Sequence, residues 1–177
     1  QVRGVPSRAA AEDFYLLNKL AKVGAVQTLA GAPMRLSGRV SDRVPFGTGA
    51  ALRNALADDV MPRCYDPVIF ELLRVVLLGM THAIDAGTSL AAALADVMLT
   101  EEVLISVVPD VVGASGVMAL LHGGLSERKV SELIESIQAT GLPLATQRRR
   151  LHERFDAFAT LKLMHAWRSH GLPDVPV

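Results

Sequence analysis

Apolar residues recur at helical spacing along most of the chain, with one interruption near the N-terminal third. From Ala11 to Val23, Phe14, Leu17, Leu20 and Ala21 recur at offsets of three, six and seven, which puts them on one face of a helix that Gly24 ends. Two short extended pieces follow, Val26–Leu29 and Met34–Ser37, with Gly31 and Pro33 supplying a turn between them. That pattern predicts a small β-hairpin. The next stretch, SGRVSDRVPFGTGAAL, is dense in turn formers and polar groups and reads as the one long loop.

Beyond about Gly49 the pattern becomes helical and stays so. The spacing of Leu, Val and Ile predicts helices over Ala50–Ala57, Pro67–Ala86, Leu90–Met98 and Glu101–Val108. Pro67 suits a first helical turn and Gly87 a C-terminal cap. Val111–Leu121 is too apolar to show a wet face. Ser126 is placed to N-cap a following helix, in which Val130, Leu133, Ile134 and Ile137 share a face until Gly141. A last helix is expected from about Thr146 to Ser169, burying Leu151, Phe155, Phe158, Leu161, Met164 and Trp167, with Pro173 and Pro176 closing the chain. The stretches ESIQATGLP and HAWRSHGLP end on the same Gly-Leu-Pro, thirty residues apart at Gly141 and Gly171. Helix pairs of that period build repeat arrays, although Gly followed by Pro also stops any helix. The fold class expected is mainly α, a helical bundle with a small β-hairpin near the N-terminus.

Composition supports this class. Half of the 177 residues are apolar and only 5% aromatic, which favours helices packed on helices over short-stranded β folds. Eighteen basic side chains balance eighteen acidic ones, so no overall field attracts nucleic acid or an anionic membrane, and neither is expected as a partner. The lone Cys64 forms no internal disulfide, and no signal-like segment opens the chain, so a cytoplasmic setting is expected. Val103–Leu121 approaches membrane-spanning length but carries Pro109, Asp110 and two glycines, and it reads as buried core.

Two stretches could carry chemistry. Glu12-Asp13 opens the first helix, where unpaired backbone N–H groups and the helix dipole stabilise carboxylates without any functional demand. The same placement keeps Asp13 ionised and rigid, as a general base for a hydroxyl proton must be. In the loop, Arg39 and Arg43 flank Ser41, and Gly47-Thr48-Gly49 precedes a helix. Paired guanidinium donors, hydroxyls and permissive backbone suit a phosphate, although the spacing and Lys of a P-loop are missing. The five histidines are scattered, and with one Cys they offer no zinc-site spacing. Ser115 in GASGV lacks the nucleophile-elbow pattern. RRRLHER, Arg148–Arg154, is locally basic and reads as a solvated helical face.

Taken together, GVPSRAAAEDFYLLNKLAKVG followed by RVSDRVPFGTG resembles the later part of family 2 glycosyltransferases, and RFDAFATLKLMHAWRSHGLP resembles the tail of a bacterial subgroup of them. The resemblance implies that Asp13, with Glu12 beside it, deprotonates the acceptor hydroxyl in inverting sugar transfer. It also implies that Arg39, Ser41, Arg43, Gly47, Thr48 and Gly49 face the diphosphate of a nucleotide-sugar. Residues 1–50 would be the C-terminal remnant of a catalytic domain of GT-A type, its hairpin included, and residues 51–177 a helical domain. The family's Asp-x-Asp motif, which holds a divalent metal (Mg or Mn), has no counterpart here, since Asp58-Asp59 lacks the intervening residue; Gln-x-x-Arg-Trp is absent as well. With Gln1 and no Met at the start, the chain is expected to be a C-terminal piece, inactive alone, whose partner is the N-terminal nucleotide-sugar-binding half of the same protein; a homo-oligomer is a further expectation. No metal is expected on this chain. The alternative is a non-enzymatic, repeat-like helical module that serves as a scaffold.

Overall fold

The computed structural model describes residues 11–28, 30, 31, 33, 35, 52, 53, 56, 63–100 and 113–176. The chain divides into two compact units, Gln1–Arg63 with Pro176–Val177, and Cys64–Val175.

In the first unit, α1 spans Glu12–Ala21. The helix forms where the periodicity predicts it, and the Val23 and Gly24 N–H groups close its end on the Leu20 carbonyl. Its apolar stripe is not buried. Leu17 and Leu20 are exposed and no residue of α1 is buried, because a helical stripe becomes core only where a second element closes over it. The expected hairpin also fails at its first strand: residues 25–28 are irregular, with Val26 exposed. An isolated two-stranded hairpin is at best marginal in water without a third strand or a helix to cover it. Most of its second strand lies outside the described residues, as does most of the Ala50–Ala57 helix. Among the described residues the sheet is instead a pairing of β1 (Arg63–Cys64) with β2 (Val175–Pro176), positions far apart in sequence.

The second unit is helical, and α2 (Pro67–Ala86) organises it. Asp66 caps its start by accepting the Val68 N–H at 2.9 Å, and Pro67, with no N–H to lose, occupies the first turn. Gly87 ends it in the left-handed region at φ 66°. The buried pairs Val68/Ile69, Val75/Val76, Gly79/Met80 and Ala83/Ile84, with Leu72 between them, trace a stripe wide enough to meet several partners. Among the described residues α2 is the helix long and apolar enough to cross a membrane, and half of that stretch is buried inside the protein. Around it pack α3 (Leu90–Thr100), α5 (Val130–Gln138), α6 (Leu144–Arg154) and α7 (Ala157–Ser169), while α4 (Gly113–Glu127) lies mainly against α7. In a helical array each repeat touches only its neighbours. Here α2 meets α5, α6 and α7 across the sequence, so the packing is that of a bundle, and the twin Gly-Leu-Pro stretches are two helix stops with Gly141 and Gly171 at positive φ.

Two boundaries differ from the sequence expectation. Ser126 does not cap α5; it lies in the last turn of α4, whose buried face of Val117, Leu120, Leu121 and Leu125 runs up to the residue before it. The reversal is made by Lys129, at φ 52°, with no side-chain cap. The expected helix from Thr146 to Ser169 is two helices. Phe155 leaves helical geometry, and Asp156 starts α7 by accepting the Phe158 and Ala159 N–H groups at 3.0 and 3.1 Å. The break resets the phase, so Leu163, Met164, Ala166 and Trp167 face the core while Phe158 is exposed and Leu161 half-buried. The Glu101–Val108 helix and the start of the Val111–Leu121 stretch lie outside the described residues.

No polar or charged residue is buried among those described, and one continuous apolar cluster runs through the second unit. α4 and α7 approach closely at a glycine. A Cβ on Gly124 would lie 2.4 Å from Trp167 Nε1, so the indole occupies the space a side chain there would need.

Candidate functional site

The first turn of α1 carries Glu12 and Asp13, both exposed. Ala11 precedes them at φ 58° and offers no side-chain cap, so among the described residues the opening N–H groups depend on the helix's own carboxylates. Asp13 does part of this: its Oδ1 accepts the Phe14 N–H at 2.8 Å. It makes no ion pair among the described residues. Phe14 and Tyr15 meet edge to face at 5.8 Å beside it. The carboxylate is therefore open to solvent and fixed at one oxygen. Arg39, Ser41, Arg43, Gly47, Thr48 and Gly49, the expected diphosphate-binding set, lie outside the described residues, as does Asp58-Asp59.

Among the described residues no group of three or more His, Cys, Asp or Glu side chains could hold a metal ion. Three of the histidines are taken up separately. His165 bonds the Tyr65 hydroxyl at 2.9 Å, His170 meets Glu127 at 3.0 Å, and His82 stands 3.6 Å from Asp96. Cys64 is free and exposed. The basic run in α6 is a largely exposed face with three partners: Arg148 donates twice to Asp85, at 2.7 and 2.8 Å, Arg149 faces Glu153 one turn on, and Arg154 donates to Ser136. Those two hydrogen bonds from Arg148 hold the Asp85 carboxyl below its usual range.

One polar cluster has no signature in sequence spacing. Tyr65, ahead of α2, stacks on His165, lies under the Arg168 guanidinium at 5.2 Å, and touches Phe70 edge to face; Arg168 also pairs with Asp174. Tyr65 and His165 are a hundred residues apart, so only the fold brings them together. The cluster ties the start of the bundle to its end and is built of half-buried and exposed groups around an aromatic ring. That is the make-up of a clasp.

Compared with known proteins, the chain matches no family model, no curated protein and no solved structure.

Proposed function

We propose that this chain is the C-terminal region of a family 2-like glycosyltransferase, in which Asp13 is the base for the acceptor hydroxyl. The observation that carries the reading is the solvent-open Asp13 carboxylate in the first turn of α1, held at Oδ1 by the Phe14 N–H, at the place where the family resemblance requires the base. In the reaction the acceptor oxygen attacks the anomeric carbon, the bond from that carbon to the diphosphate breaks, and the hydroxyl proton passes to Asp13. Arg39, Ser41, Arg43 and Thr48 would take the charge on the departing diphosphate, as paired guanidinium contacts do for phosphate. The divalent Mg or Mn implied by the resemblance belongs to the donor-binding half, where the family's Asp-x-Asp motif would hold it. When bound, such an ion neutralises the diphosphate.

Asp13→Asn tests the reading in the protein that carries both halves. Turnover should fall about a hundredfold or more with donor affinity and melting temperature nearly unchanged, because Asn keeps the hydrogen bond and loses the proton acceptor. Transfer within a few-fold of wild type would return Glu12-Asp13 to the role of a helix start. A second reading, a non-enzymatic helical scaffold, draws support from the apolar core of Cys64–Val175 and its lack of any buried polar residue among those described. It predicts that partner binding survives Asp13→Asn and that no sugar transfer is found.

A further inference from the structure

The second unit contains a cleft on the side where α3 begins and α4 gives way to α5. Its volume is about 200 Å³, room for about seven waters. Leu90, Leu94 and Leu125 line it and are buried, so its floor is apolar. His122, Ser126, Lys129, Ser131 and Glu132 stand on its rim, all exposed, with Lys129 Nζ and Glu132 Oε2 3.9 Å apart. An exposed pair at that separation holds its partners weakly. A ligand group can therefore displace Glu132 from Lys129 at little cost. α5 also begins at this rim, and the N-terminal end of a helix favours negative charge.

We propose that this cleft binds a small aliphatic carboxylate, with the chain on the leucine floor and the carboxylate on the Lys129 ammonium. The apolar floor supplies affinity by removing alkyl surface from water, and the lysine fixes the orientation. A neutral alcohol of the same length would gain only the first contribution. An alkylammonium would gain the first and meet Lys129 as a like charge. The inference concerns the helical unit alone and does not depend on Asp13.

Hexanoate is the probe, titrated against the intact chain by NMR, with hexylammonium as the comparison. Saturable hexanoate binding is expected at a Kd on the order of millimolar, the range for so few non-hydrogen atoms. Lys129→Gln should weaken it about threefold, the scale of one exposed ion pair, and Glu132→Gln should tighten it by removing the competing carboxylate. Ala91→Phe, at an exposed α3 position beside the cleft, should block it while far-UV circular dichroism stays unchanged. The proposal is overturned by non-saturable binding, by hexylammonium binding as tightly as hexanoate, or by affinity that Lys129→Gln leaves unaltered. If Ala91→Phe fails to fold, the two rim variants still decide, since both positions are exposed.

Discussion

Gly124 shows how far a single position can constrain the bundle. An added Cβ there meets the Trp167 indole at 2.4 and 2.6 Å, and the ring is fully buried, so it has no space to retreat into. Gly79 looks equally tight, with Leu94 Cδ2 at 2.6 Å, but that atom is the far end of a flexible side chain. Alanine at either position gains about 1 kcal/mol of helix propensity over glycine. At Gly79 this gain offsets the shift of a methyl group, so Gly79→Ala should stay within about 1 kcal/mol of wild type. Gly124→Ala should lose about 1 to 2 kcal/mol net, because overpacking against a rigid ring outweighs the propensity gain. Urea unfolding followed by the fluorescence of Trp167, the only tryptophan, separates the two; equal stabilities would mean that the indole moves freely.

At the scale of elements, the break between α6 and α7 depends on one side chain. Asp156 accepts two N–H groups of α7, so Asp156→Ala should cost about 1 kcal/mol, and Asp156→Asn much less. A melting-temperature comparison of the two variants checks this, and similar losses from both would point to charge rather than to capping. The join between α2 and α6 carries a pH dependence. Arg148 lowers the Asp85 carboxyl in the folded state, so the pair's stabilisation is present above the ordinary aspartate value of about 3.9 and disappears as pH falls through the lower folded value. Asp85→Asn should melt below wild type at pH 6, and the gap should narrow as the pH falls below the ordinary aspartate range. A gap that persisted in acid would assign the effect to packing. Gln138 reinforces the same end of α2 without charge, its amide donating to the Ala83 and Thr88 carbonyls at 2.9 and 2.8 Å.

For the whole molecule, the two units differ in what holds them. A ten-residue helix with no buried residue is too short to persist by hydrogen bonding alone, since isolated helices below about 12 to 15 residues are marginal in water. The Cys64–Val175 unit carries a continuous apolar cluster from Val68 to Leu172. A chain of residues 63–176 should therefore unfold cooperatively and keep a strongly helical circular dichroism spectrum, while a peptide of residues 11–24 should show little helix. A non-cooperative transition in the longer chain would mean that its core needs the N-terminal residues.

The sequence alone determined whatever a local rule encodes: the mainly helical class, α2 with its proline start and glycine stop, the buried face of Val130, Ile134 and Ile137, and the acidic opening of α1. Each follows from a period or a cap within a few residues. Tertiary structure decided the rest, because it depends on which surfaces meet. The stripe of α1 matched the period of a core helix yet stayed exposed, and residues 25–28, expected to be extended, are irregular. Ser126, expected to start a helix, lies within α4, while Asp156, inside the expected last helix, starts α7. The Tyr65–His165 and Asp85–Arg148 contacts and the leucine-floored cleft join residues that no spacing relates, and packing around α2 brings them together.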